Sequence, residues 1–73
     1  MNAININVKW DDYGWIAISL DLPEDWNMRR HFSGRREAAE ALAARYFGHG
    51  RFTISPGAYR KTYIATATPE DKR

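Results

Sequence analysis

Seventy-three residues, 44% of them apolar and 14% aromatic, suffice for one small domain near the lower limit for a single core. The absence of cysteine excludes disulfides and thiolate metal sites. No stretch approaches the ~20 apolar residues that span a bilayer, and nothing near Met1 reads as a signal peptide, so a soluble, cytoplasmic chain is expected. The net charge of +2 is unevenly spread. Residues 1–25 set Lys9 against Asp11, Asp12, Asp21, Glu24 and Asp25, whereas Glu37, Glu40, Glu70 and Asp71 are the acids facing all the other lysines and arginines. Such polarity either orients a charged partner or is neutralised across the fold.

Ala3 to Trp10 alternates, with Ile4, Ile6, Val8 and Trp10 on one face and Asn5, Asn7 and Lys9 on the other. This is the pattern of a half-buried strand. Asp11-Asp12-Tyr13-Gly14 reads as a turn. Trp15 to Leu22 alternates again and predicts Ile16, Ile18, Leu20 and Leu22 inward, with Trp15, Ala17, Ser19 and Asp21 outward. The two strands are expected to pair as a hairpin. Pro23 stops the second strand because it lacks an N–H for the ladder. A polar loop with Trp26 follows, then Met28 to Phe32, read as a short edge strand.

The stretch from His31 to Gly50 predicts the single helix. Ser33 is a suitable N-cap, or Gly34 is the cap and Glu37 falls at N3. Gly48 is expected to end it as a left-handed C-cap. With Leu42 central, Ala38, Ala39, Arg45 and Tyr46 lie beside it and Glu37, Glu40, Ala44 and Phe47 point out. Arg51 to Ser55 predicts a strand with Phe52 and Ile54 inward, Pro56-Gly57 a turn, and Ala58 to Ala67 a last strand. There Ile64 is expected inward and Tyr59 and Tyr63 on the open face. The fold class is therefore α+β: an antiparallel sheet of four or five strands with one helix on one face, in the order ββ(β)αββ. Residues 1–67 form the domain and 68–73 a polar tail.

Three short motifs carry a resemblance: Asp12-x-Gly14 before a strand, Leu20-Asp21-Leu22-Pro23, and Glu37-Ala38 in a helix opened by Ser33. Over about residues 4–47 this resembles the N-terminal fold of HicB-type antitoxins. The resemblance implies a module that binds and blocks a small toxin. No Gly-Cys follows the proline, and residues 48–73 read as strands and a tail and not as a DNA-binding domain, so that family's autoregulatory role is not expected of these residues. In architecture alone the chain is also similar to small phage anti-CRISPR proteins, which is analogy of fold.

Catalytic chemistry has little footing in the sequence. His31 and His49 stand apart at helix boundaries, short of the three or four convergent ligands zinc needs. Ser19, Ser33 and Ser55 lie outside any nucleophile-elbow context, adjacent Asp11 and Asp12 diverge, and Gly48-His49-Gly50 lacks the lysine and length of a phosphate loop. No enzyme activity, metal or cofactor is expected. Arg29, Arg30, Arg35 and Arg36 cluster beside the helix N-terminus, whose partial positive charge favours an anion. Arginine bonds carboxylate and phosphate bidentately; the bland reading is a solvated face paired with nearby acids. Trp15 and Trp26 are candidate interface anchors, Trp26 alternatively folding over the core edge, while Trp10 is expected in the core. The leading expectation is a phage- or mobile-element-encoded binding module, a monomer or homodimer. It would occlude a protein partner with an acidic surface, a nucleic-acid-handling complex being one candidate, through Arg29, Arg30, Arg35, Arg36, Trp15 and Trp26. The alternative is nucleic-acid binding, with Trp15, Tyr59 and Tyr63 stacking bases near Asn7, Lys9 and Lys61.

Overall fold

A computed structural model describes residues 2–27 and 30–68. Four strands form one antiparallel sheet in the spatial order β2-β1-β4-β3. They are β1 (Ala3–Asp11), β2 (Gly14–Ile18), β3 (Phe52–Pro56) and β4 (Thr62–Ala67), with α1 (Arg35–Phe47) between β2 and β3. The helix packs on one face of the sheet, so the α+β architecture is as expected. Among the described residues, the expected strand before the helix shows a single bridge, in which Trp15 and Phe32 exchange both backbone hydrogen bonds at 2.8 Å. Met28 and Arg29 lie outside the described residues.

The hairpin forms, but β2 presents the opposite face to the core. The two-residue turn makes Asp11 partner Gly14, which sets Trp10 against Trp15 and Val8 against Ala17. Directly opposed residues share a face, and Ile4, Ile6 and Val8 are buried. Ala17 and Ser19 are therefore buried too and Trp15 packs on the core edge, while Ile16 and Ile18 go to the open face and Leu20 is 85% exposed. Of the four residues expected inward only Leu22 is buried. Ala17 offers little bulk, and helix residues Ala38, Ala39 and Ala43 are fully buried with it.

β2 ends at Ile18, four residues short of the expected Leu22, because side chains take over the ladder. Ser19 Oγ donates to Asn5 O at 2.7 Å, and Asn5 N–H donates to Asp21 Oδ2 at 2.7 Å. Asn27 Oδ1 accepts from Ser19 N–H at 2.8 Å, and Ser19 Oγ accepts from Asp21 N–H at 3.2 Å. The Leu20-Asp21-Leu22-Pro23 corner is thus a knot of polar bonds that satisfies the backbone where the strand leaves the sheet.

The same pairing logic inverts β4. Ile4 partners Ala65, Asn5 partners Ile64 and Ile6 partners Tyr63. Tyr63 and Ala65 therefore face the helix and Ile64 the open side. The strand begins at Thr62, not Ala58. The turn before it is tied by Gly57 N–H to Thr62 O at 2.9 Å and Tyr59 N–H to Thr62 Oγ1 at 3.2 Å. Phe52 and Ile54 face the core as expected. Thr68, assigned to the tail, donates to Arg51 O at 2.9 Å; residues 69–73 lie outside the described residues.

The helix is capped by Gly34 and has no side-chain cap bond; Ser33 Oγ instead donates to Glu37 Oε2 at 3.3 Å. Ala38, Ala39, Leu42 and Ala43 are buried. Arg45 is exposed, not in the stripe, and Phe47 packs inward beside Tyr46 and Phe52, not outward. Gly48 takes φ +101°, but its ψ of 151° lies outside the left-handed helical region. No described helix is long and apolar enough to cross a membrane.

Candidate partner-binding surface

Strand register brings two turns to one end of the sheet. Asn7 partners Thr62, so β4 starts beside the middle of β1, and the β3–β4 turn lies toward the same end of the sheet as the β1–β2 turn. Three of the large exposed side chains occur there: Trp10 (56% exposed), Tyr13 (83%) and Tyr59 (79%). Trp10 is therefore not in the core. It stands at the sheet end, edge-on to Trp15 with ring centroids 5.6 Å apart.

Trp15 is the centre of a cationic cluster. The Arg35 guanidinium lies 5.6 Å from its ring centroid and Lys61 Nζ lies 5.7 Å from it. Both contacts are cation–π attractions, worth about 0.5–1 kcal/mol each at exposed sites. Arg35 opens the helix, so the free N–H groups of the first turn add partial positive charge here. Lys61 has φ +61°, a conformation that is unfavourable for a residue with a Cβ. Its carbonyl accepts from Val8 N–H at 2.9 Å, and the pairing directs its side chain to the face that carries Trp15.

The remaining candidates are dispersed. Arg30 lies over the Phe32 ring at 5.5 Å. Arg36 forms an i,i+4 pair with Glu40 at 3.3 Å. Trp26 sits in a 3-10 turn (Glu24–Trp26), packed on the core edge against Tyr46 at 5.5 Å, with Arg45 over its ring at 5.6 Å. Arg29 lies outside the described residues. The expected base-stacking sheet face does not assemble, because Tyr63 faces the helix whereas Asn7 and Lys9 face the open side. Sequence reading overlooked Trp10, Tyr13 and Arg45; the two-residue turn that sets Trp10 opposite Trp15 was the available signal for the first.

The hairpin tip is locked to the segment before the helix. Asp11 Oδ2 lies 2.7 Å from His31 Nε2, and Asp11 Oδ1 accepts from Tyr13 N–H at 2.8 Å. The Tyr13 N–H first, then the His31 side chain, hold the Asp11 carboxyl below its ordinary value of 3.8. A depressed carboxylate stabilises the fold above its unfolded-state value, and that contribution is lost as pH falls through the folded-state value. Urea midpoints measured downward from about pH 5 should therefore fall more for the parent than for Asp11→Asn. Equal acid sensitivity of the two would remove Asp11 from this account.

Among the described residues no group of three or more His, Cys, Asp or Glu could hold a metal ion. No family model matches the chain, and neither the curated proteins nor the solved structures contain a match.

Proposed function

We propose that this chain is a small non-enzymatic binding module that blocks an acidic protein partner by covering a surface on it. The observation that carries the reading is the juxtaposition at the helix N-terminus: exposed Trp10 beside Trp15, with Arg35 and Lys61 both over the Trp15 ring. Tryptophan, tyrosine and arginine dominate interface hot spots, and cations already seated on an aromatic lose less side-chain freedom on docking. A lysine kept at positive φ where glycine would be unstrained points to use of its side chain. The motif resemblance to HicB-type antitoxins supports occlusion as the mode of action. Arg36, paired with Glu40, contributes less than Arg35 in this reading.

The same cations and exposed aromatics also suit single-stranded nucleic acid, in which bases stack and phosphates pair. One set of measurements separates the two. Trp10→Ala and Arg35→Glu should both remain folded, with melting midpoints a few degrees below the parent: Trp10 is largely exposed and gives up its edge contact with Trp15, and Arg35→Glu gives up one exposed cation–π contact while placing an acid in the first helical turn. Each should lose the partner that the parent captures from host lysate. Retention of every partner by both folded variants would refute the surface. Tight binding of an oligonucleotide at physiological salt, weakening steeply as salt rises, would instead favour the second reading.

A further inference from the structure

A second feature adjoins that surface at Phe32, whose backbone pairs with Trp15, and runs along the outer side of the helix. A cleft of about 240 Å³ is lined by Arg30, Phe32, Ala41, Ala44, Arg45 and His49. Its floor is apolar, its remaining lining side chains are two arginines and a histidine, and no carboxylate among the described residues lines it. Among the described residues the carboxylates that meet a basic side chain are Asp11, beside His31, and Glu40, beside Arg36, so neither Arg30 nor Arg45 has a carboxylate partner there. Each guanidinium lies over an aromatic ring instead, Arg30 over Phe32 and Arg45 over Trp26. Arg45 makes one long bond, at 3.5 Å, to Asp25 O. A guanidinium held over a ring keeps most of its in-plane donors available, and those donors match a carboxylate bidentately.

We infer that this cleft binds the C-terminal residue of a peptide, taking the free carboxylate between Arg30 and Arg45 and an apolar side chain on the Phe32, Ala41 and Ala44 floor. The volume is below the ~300–1,000 Å³ of pockets for drug-sized ligands, which suits one residue and not a larger cofactor. An inorganic anion would satisfy the arginines and leave the floor unused. An uncharged apolar group would bury the floor and leave two cations partly desolvated without a partner. A terminal residue joins anion and apolar body at the required short separation. The two share the Phe32–Trp15 backbone bridge, but none of Trp10, Trp15, Arg35 and Lys61 lines the cleft, so the two readings fail separately.

The test is an amide-resolved NMR titration of the full chain with a tetrapeptide, acetyl-Gly-Ser-Leu-Phe, as the free acid and as the carboxamide. The acid should shift the amides of Phe32, Ala41, Ala44 and Arg45 and the Trp26 indole N–H. The carboxamide should bind at least about tenfold more weakly, the ratio expected on losing a charge-assisted hydrogen bond. Arg30→Gln and Arg45→Gln should each weaken the acid by a similar factor. Ala44→Glu, which puts a carboxylate into the cleft, should abolish binding and keeps the test valid if loss of Arg45 from Trp26 disturbs folding. Equal binding of acid and amide would overturn the inference, as would shifts centred on Trp10 and Trp15. So would displacement of the peptide by an equal concentration of inorganic phosphate, which would mark a site for small anions only.

Discussion

Leu42→Ala should lower the unfolding free energy by roughly 2–5 kcal/mol, the range for deleting a buried leucine side chain and leaving a cavity. Leu42 is fully buried, in the same core cluster as Ile4, Ile6 and Ala65. Its helix neighbours Ala38, Ala39 and Ala43 are already minimal, so they have no side-chain length with which to fill the space. Glu40→Ala, two residues away on the exposed face, loses only the pair with Arg36 and should cost about 0.5 kcal/mol or less. Urea denaturation of the two variants checks the helix rotation. Comparable losses would mean that Leu42 is not at the centre of the helix–sheet contact.

Gly14→Val should be the other strongly destabilising change, at about 2–4 kcal/mol from backbone strain and displaced neighbours together. Gly14 has φ +138°, and a Cβ there would stand 2.9 Å from Phe32 O and 3.2 Å from His31 Cβ. Phe32 O is the acceptor for Trp15 N–H, so the added carbon strikes the bridge that ties the hairpin to the segment before the helix. The loss should extend to the surface built on Trp15 and Arg35. Gly34→Ser is the control: a Cβ at Gly34 meets nothing within 4 Å, and serine is a good N-cap, so stability should hold or rise by a few tenths of a kcal/mol. Thermal melts of the pair decide it. A stable Gly14→Val protein would mean that the turn accommodates a side chain by moving away from Phe32.

The candidate surface was only partly legible in the sequence. The arginine cluster at the helix start was visible as composition, but the contacts of its described members were not: Arg35 sits over Trp15, Arg36 pairs with Glu40, and Arg30 lies over Phe32. Which cation meets which aromatic depends on contacts between elements far apart in the chain. Lys61 reaches Trp15 only because β4 lies beside β1, and no local pattern records that pairing.

Alternation and punctuation determined the elements themselves. Period-two apolar residues define β1, Asp12-Tyr13 turns the chain, and Phe52 and Ile54 mark the inner face of β3. One helix ends at Gly48. These are local preferences that each segment expresses wherever it is placed. Which face of β2 and of β4 is buried was decided only by tertiary structure. Both strands carry apolar residues on each side, so residue size favoured Ile16, Ile18 and Ile64, whereas the register opposes Val8 to Ala17 and Ile4 to Ala65. A one-residue difference in pairing exchanges the two faces of a strand, and the buried helix alanines lie over the face that carries the small residues. The helix stripe was hidden for a related reason. Alanines stand all around its axis, so the sheet, and not amphipathic contrast, sets its rotation.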